Sequence, residues 1–159
     1  YDREKLHGVI DYGCGSGFKL LKFFRNEPTI GIDLPPNIGG LREKYPNRLW
    51  CHAYRVPPLP RMGLTISADV IEHIPEPETY LQKLKDFVTD FVVMSTPDRF
   101  LVYGGEHKGP PRNRYHVREW NRPEFKTFLS NYGFRILEEG TDNDSQYYLL
   151  QGANDAYYA

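Results

Sequence analysis

Apolar and polar residues alternate along this chain in a way that predicts strands separated by helices. Short apolar runs rich in β-branched and aromatic residues indicate strands, whereas apolar positions three and four residues apart indicate amphipathic helices. The predicted strands cover residues 7–12, 29–33, 48–53, 64–69, 91–95, 134–138 and 146–150. The predicted helices cover residues 18–25, 38–44, 77–88 and 121–131, the last with Asn121 as its N-cap.

The order of these elements indicates the fold class. Strands that alternate with helices predict an α/β fold, in which a parallel sheet carries helices on both faces. The last two strands follow one another, joined by a polar turn at 140–144. The segment 96–120 has no clear periodicity, and loops of about 25 residues in compact domains are usually functional or disordered.

The length of 159 residues predicts a single domain spanning 1–159, and the start at Tyr1 rather than Met is compatible with a fragment of a longer chain. The net charge of -1 argues against general affinity for nucleic acid, but it allows a local basic patch. Cys14 and Cys51 are expected to be buried free thiols, which favours a reducing, cytoplasmic compartment. No apolar run is long enough to predict a membrane span or membrane partner.

The most informative segment is 9–18, where an apolar strand runs into Asp11 and then into glycines at 13, 15 and 17. A strand, a glycine-rich turn and a helix in this order form the nucleotide-binding corner of an α/β sheet. The spacing is G-x-G-x-G. A dinucleotide-binding fingerprint would need a glycine at position 18, which is Phe18 here, so a nicotinamide dehydrogenase is disfavoured.

With the acidic residue before it, this segment resembles motif I of the class I S-adenosylmethionine (SAM) methyltransferases. Asp33 ends the second strand, and residues 67–74 resemble motif IV of the same superfamily. The resemblance covers the chain from Val9 to Leu150. It implies a Rossmann-like, mostly parallel seven-stranded sheet with an antiparallel last strand, and SAM as the cofactor.

The resemblance also implies which residues contact SAM. Asp33 would accept the ribose hydroxyls, and His52 stands where many members carry an acidic residue beside adenine. Asp69 would border the sulfonium. The expected cofactor-binding residues are Asp11, Gly13, Cys14, Gly15, Gly17, Asp33, His52 and Asp69.

Asp69, Glu72 and His73 form a D-x-x-E-H cluster directly after the fourth strand. On a helical turn these positions share a face, and two carboxylates with an imidazole are a plausible site for a divalent metal. The cluster resembles the E-x-x-E-H element of ubiquinone-pathway O-methyltransferases and of small-RNA 3′-terminal 2′-O-methyltransferases. Residues 95–98 and 116–120 resemble further elements of the second group. This resemblance implies that Asp69, Glu72, His73 and His116 hold Mg²⁺ or Mn²⁺.

The same cluster also occurs in many methyltransferases of small molecules and glycans with no demonstrated metal. In that alternative His73 or His116 is a general base, because histidine titrates near neutral pH. The candidate catalytic residues under both alternatives are His73, His116 and Glu72.

Between 99 and 126 basic residues outnumber acidic ones, with Tyr103 and Tyr115 among them. Arginine and aromatic side chains together suit contacts to phosphates, sugars or carboxylates. The leading hypothesis is O-methylation of a small molecule or glycan. One alternative is metal-dependent 2′-O-methylation of RNA, which ranks second because the net charge is near zero. Another alternative is a catalytically inactive SAM-binding module.

Overall fold

The computed structural model describes residues 7–87 and 89–151. The strands are β1 (Val9–Tyr12), β2 (Thr29–Asp33), β3 (Leu49–His52), β4 (Met62–Ala68), β5 (Thr89–Pro97), β6 (Arg135–Asp142) and β7 (Ser145–Gln151). The helices are α1 (Phe18–Phe23), α2 (Pro35–Lys44), α3 (Pro77–Asp86), α4 (Arg99–Tyr103) and α5 (Arg122–Asn131). A 3₁₀ turn (Ile71–His73) follows β4.

The seven strands form one sheet in the order β3-β2-β1-β4-β5-β7-β6. The pairs among β1 to β5 are parallel, whereas β7 runs antiparallel to both β5 and β6. This arrangement confirms the predicted mixed α/β sheet. The chain order reverses between β1 and β4, and ligands of open α/β sheets bind at such a reversal, outside the carboxyl ends of the strands.

Two apolar clusters hold the helices against the sheet. Leu20 of α1 and Ile38 of α2 pack with Val9, and Leu81 of α3 packs in the other cluster with Ile10. Because successive residues of a strand point to opposite faces, helices cover both sides of the sheet. The helix α5 belongs to the second cluster through Phe125 and Leu129.

Several boundaries differ from the sequence prediction. The helix α2 begins at Pro35 rather than residue 38, since proline suits the first turn of a helix, where its missing N–H is not needed. The strand β6 continues to Asp142, because it pairs with β7 up to a tight turn in which Asn143 has a φ of 51°. The predicted end of the third helix at Val88 lies outside the described residues.

The segment 96–120 was predicted to be irregular, and this is wrong at its beginning. The strand β5 extends through Pro97, and α4 follows it. The Asp98 side chain accepts a hydrogen bond of 2.9 Å from the Phe100 amide and so caps α4. A helix of one and a half turns with no buried residue leaves no apolar periodicity in the sequence, which explains why the pattern missed it.

Cys14 and Cys51 are both buried and free, as predicted. In the described part of the chain, no helix has the length and apolar character that crossing a membrane requires.

Candidate active site

The glycine turn joins β1 to α1 at the carboxyl end of the sheet. The amides of Gly13 and Cys14 donate hydrogen bonds to the Ile32 carbonyl at 2.8 and 3.1 Å, which fixes the turn against β2. The three glycines have φ angles of 88°, 52° and 73°, all in the left-handed region that favours glycine.

The three glycines serve different purposes. A Cβ atom at Gly13 would lie 2.3 Å from a methyl carbon of Val70, and one at Gly17 would lie 2.8 Å from the Trp50 ring. A Cβ atom at Gly15 would have no atom within 4 Å. Gly13 and Gly17 are therefore required by packing, whereas Gly15 borders open space in which a ligand can approach the backbone.

Asp33 lies beside this open space at the end of β2. Its Oδ2 accepts a hydrogen bond of 2.6 Å from the Gly15 amide, and its Oδ1 accepts from the Leu34 amide and the Asn37 side chain at 2.7 and 2.8 Å. His52 pairs in register with Asp33 on the next strand, and its Nδ1 is buried with no partner among the described residues. Asp33 and His52 therefore occupy neighbouring strand ends, where the sequence placed the ribose and adenine contacts.

Asp11 lies fully buried at the base of the turn. Its Oδ2 is 3.3 Å from Lys19 Nζ, and its Oδ1 has no hydrogen-bond partner in the ranges that the structure describes. Burial raises the pKa of this carboxyl from 3.8 to about 6, although Lys19 opposes the rise. Burial, together with the negative charges of Asp33 and Asp11, raises the pKa of the Cys14 thiol to about 12, so this thiol is not a nucleophile at neutral pH.

These residues fit SAM. The turn leaves backbone accessible at Gly15, and the Asp33 carboxylate lies at hydrogen-bonding distance from that backbone. Asp11, which precedes the turn, has a carboxylate oxygen without a hydrogen-bond partner among the described residues. Asp33 and Gly15 would hold the cofactor, which supplies an electrophilic methyl group when bound.

A second group of polar residues lies past the end of β4. Glu72 is buried, and its Oε2 accepts a hydrogen bond of 3.1 Å from the Thr96 hydroxyl. The Val117 amide donates to the Glu72 carbonyl at 2.7 Å, which ties the 3₁₀ turn to the segment after β5. Burial raises the pKa of the Glu72 carboxyl, and the charge of Asp69 raises it further.

This contact brings His116 to the 3₁₀ turn. One ligand atom each from Glu72, His73 and His116 lie within 4.8 Å of one another, and the two imidazole rings are 4.7 Å apart, nearly perpendicular. Asp69 is not a member of this group, contrary to the predicted set of four ligands. Its backbone has a φ of 54°, and its Oδ1 accepts a hydrogen bond from the Ser95 hydroxyl, which holds the carboxylate toward β5.

The neighbours of the two imidazoles fix their tautomers. His73 Nδ1 lies 2.9 Å from the Tyr115 carbonyl, and His116 Nδ1 lies 2.6 Å from Glu119 Oε1. Both oxygens only accept, so each Nδ1 carries a proton, and in the neutral imidazole each Nε2 then keeps its lone pair. Histidines that bind metals have this arrangement, in which the second ring nitrogen donates to a carbonyl or carboxylate. Glu72, His73 and His116 therefore fit a divalent cation, and two nitrogen ligands suit Mn²⁺ better than Mg²⁺.

Three residues outside the predicted catalytic and metal-binding sets complete the surroundings of His116. Glu119 is 4% exposed and accepts from both His116 and the Tyr103 hydroxyl. The Asn113 side-chain amide donates to His116 Nε2 at 2.9 Å, in agreement with the assigned tautomer. The sequence placed Glu119 in the 116–120 element and Tyr103 in the basic segment, but it gave neither of them, nor Asn113, a role beside His116.

The family model for the methyltransferase domain matches residues 3–139. The chain belongs to the methyltransferase-domain family. This membership, together with the sheet order, confirms the predicted class I SAM-dependent methyltransferase, although the individual motifs are not tested by it. The comparison with curated proteins found no match.

Solved structures share the fold of this methyltransferase domain. The methyltransferase domain of bacterial CtHen1-CN is 24% identical, with a TM-score of 0.64 over 92% of this chain and 90% of that one. The small RNA methyltransferase HEN1 is 22% identical, with a TM-score of 0.67 over 94% of this chain. The present chain spans 24% of the length of that HEN1 structure. Human N-acetylserotonin methyltransferase in complex with SAM is 14% identical, with a TM-score of 0.69 over 96% of this chain and 49% of that one.

Proposed function

We propose that this domain transfers the methyl group of SAM to a hydroxyl oxygen of a small molecule or a glycan. The observation that carries the proposal is the convergence of Glu72, His73 and His116 beyond the end of β4, the strand adjacent to β1 and its glycine turn. Two imidazoles with preset Nε2 lone pairs beside a buried carboxyl suit the deprotonation of a hydroxyl, either directly or through a cation.

The residues divide the work between two sides of the site. Gly15 and Asp33 hold the cofactor, while Glu72 and His73 form the wall that the acceptor hydroxyl faces. His116 Nε2 points its lone pair away from Glu119, so it is free to bind a cation or to take the hydroxyl proton once Asn113 releases it. A divalent cation held by these three residues would supply positive charge that lowers the pKa of the hydroxyl.

The first test measures binding of Mn²⁺ and of S-adenosylhomocysteine by calorimetry. We expect one Mn²⁺ per chain, with affinity reduced about 10- to 100-fold or more in His73→Ala and His116→Ala. Exposed His7 offers a matched control, because His7→Ala removes an imidazole outside the site. Equal Mn²⁺ affinity in all four proteins would exclude a metal at this site, and Asp33→Ala with undiminished cofactor affinity would contradict the assigned cofactor site.

The second test measures transfer of radiolabelled methyl from SAM to panels of hydroxylated small molecules and oligosaccharides, with and without EDTA. Transfer that EDTA abolishes supports a cation, whereas transfer that EDTA spares but His116→Ala abolishes makes His116 the general base. Cofactor binding without transfer to any member of the panels would favour a SAM-binding module without catalytic activity.

A specific observation favours RNA as the second candidate acceptor. Tyr115 is 67% exposed, its carbonyl contacts His73, and the Arg114 guanidinium lies 4.8 Å from its ring centre. An exposed aromatic ring with an arginine stacked on it suits an unpaired nucleobase and its phosphate. EDTA-sensitive methylation of an RNA 3′ end, weakened by salt and by Tyr115→Ala, would make RNA the acceptor in place of a glycan.

A further inference from the structure

A groove lies on the side of the segment 108–120 that faces α5. Its volume is about 790 Å³, and residues 108–111 and 117–120 form one wall while α5 forms the other. Pockets of about 300–1,000 Å³ typically hold a small ligand. Glu119 is part of this groove and also contacts His116, so the groove and the candidate active site share one side chain.

The walls combine an apolar surface with positive charge. The rings of Trp120 and Phe128 stack with centres 5.5 Å apart and an angle of 22°. The Arg118 guanidinium lies 5.8 Å from the Trp120 ring centre. Lys108, the first residue of the segment 108–120, lines the same groove. Across the ranges 7–87 and 89–151, neither cation has an acidic partner within 4 Å. Glu124 also lines the groove, and the charge of Arg99, followed at longer range by that of Arg118, contributes to the lowered pKa of its carboxyl.

Glu119 is the polar group of the groove that lacks a partner. Its Oε1 accepts from His116 and Tyr103, but its Oε2 is buried and has no hydrogen-bond partner within the described residues. A buried acceptor without a donor costs about 1–3 kcal/mol. A ligand hydroxyl that donates to Glu119 Oε2 would remove this cost.

We propose that the groove binds a sugar unit that carries an acidic group, either a carboxylate or a phosphate. A sugar hydroxyl donates to Glu119 Oε2, the acidic group binds Arg118 and Lys108, and the apolar face of the ring contacts Phe128. Arginine suits both carboxylate and phosphate because its planar guanidinium donates two parallel hydrogen bonds. The proposal rests on the proposed function in one respect, namely that this sugar unit is part of the methyl acceptor.

The two tryptophans of the chain provide a direct assay. Trp120 lines the groove, whereas Trp50 belongs to the apolar cluster with α1 and α2. D-glucuronate, D-glucose 6-phosphate, D-glucose and inorganic phosphate are titrated separately while the two indole N–H signals are followed by NMR. The solution contains neither SAM nor metal, so the result does not depend on methyl transfer.

We expect the two acidic sugars to shift the Trp120 signal saturably with a Kd of about 1 mM, while Trp50 stays unchanged. Glucose and inorganic phosphate should each bind at least about tenfold more weakly, because each offers only part of the required contacts. Glucuronate and glucose 6-phosphate together distinguish a carboxylate from a phosphate as the preferred acidic group.

Arg118→Gln and Lys108→Gln should each weaken acidic-sugar binding about tenfold or more, and Lys126→Gln is the control because Lys126 on α5 pairs with Glu139 outside the groove. The proposal is overturned if no acidic sugar shifts Trp120 saturably up to about 20 mM, a range that would detect even weak binding. It is equally overturned if glucose binds as well as glucuronate, or if Lys126→Gln has the same effect as Arg118→Gln. Saturable binding with no methyl transfer to any acceptor would retain the groove and contradict only the proposed function.

Discussion

The Gly15→Ala variant should fold but bind the cofactor more weakly than the wild-type protein does. Gly15 has a φ of 52°, and an alanine in this left-handed region costs about 1–2 kcal/mol. No clash adds to this cost, because the new Cβ atom has no neighbour within 4 Å. We therefore expect Gly15→Ala to fold, with a free energy of unfolding lowered by only about 1–2 kcal/mol.

The same substitution should also reduce the affinity for the cofactor, and this loss is separate from its cost to the free energy of unfolding. The new methyl group would occupy the open space beside Asp33, where the cofactor is expected to approach the Gly15 backbone. Forcing one extra methyl group into a close-packed contact costs about 1–3 kcal/mol. This corresponds to a loss of about 5- to 150-fold in affinity for S-adenosylhomocysteine.

Calorimetry with S-adenosylhomocysteine and urea unfolding together test this prediction. Gly39→Ala is the matched control: Gly39 lies in α2 with nothing within 4 Å, so alanine should stabilise the domain by up to about 1 kcal/mol without changing the affinity. Gly13→Ala should instead impair folding, since its Cβ atom would lie 2.3 Å from Val70. Wild-type cofactor affinity in a folded Gly15→Ala variant would refute the assigned cradle.

Three further predictions concern buried polar groups. The pKa of Asp11 is raised from 3.8 to about 6, so the folded state binds the proton more tightly than the unfolded state does. The free energy of unfolding should therefore fall by about 3 kcal/mol as the pH rises between these two values. Urea titrations at several pH values should show this pH dependence, and Asp11→Asn should abolish it. Glu119→Gln should weaken Mn²⁺ binding about 10- to 100-fold, because the neutral amide no longer raises the basicity of the His116 ring as the carboxylate does. Unchanged calorimetric affinity would contradict this. Asn121→Ala removes one half of the capping box of α5 and should lower the free energy of unfolding by about 0.5–2 kcal/mol in urea titrations.

The cofactor side of the site could be predicted from the sequence because its signals are local. The glycine spacing lies within one turn, and Asp33 ends a strand whose apolar run is plain in the sequence. Parallel strands present their carboxyl ends at one edge of the sheet, so the order of elements alone places these residues together.

The proposed acceptor side could be predicted only in part, because it is built by contacts between residues that are far apart in the chain. His73 contacts Tyr115, 42 positions later in the chain, and the Val117 amide donates to the Glu72 carbonyl, so that His116 lies beside the 3₁₀ turn. The predicted ligand Asp69 lies outside the group of Glu72, His73 and His116, and its carboxylate accepts a hydrogen bond from Ser95, a contact that no pattern of residue types reports. Glu119 belonged to the 116–120 element without a role of its own, and its burial and its hydrogen bond to His116 show that it orients that ring.

The cofactor side and the proposed acceptor side of the site are stabilised by different kinds of contact, and Arg99 carries several of the polar ones. The cofactor side rests on buried apolar clusters, whereas α4 has no buried residue and the segment after it is held by polar contacts. The Arg99 guanidinium donates to the carbonyls of His107 and Glu119 and to the Glu124 carboxylate on α5, so one side chain joins both walls of the groove. Hydrogen bonds at a partly exposed arginine contribute less than a close-packed core and can be rearranged at lower cost. The proposed acceptor groove can therefore change through residues 99–120 while the glycine turn and the sheet remain the same.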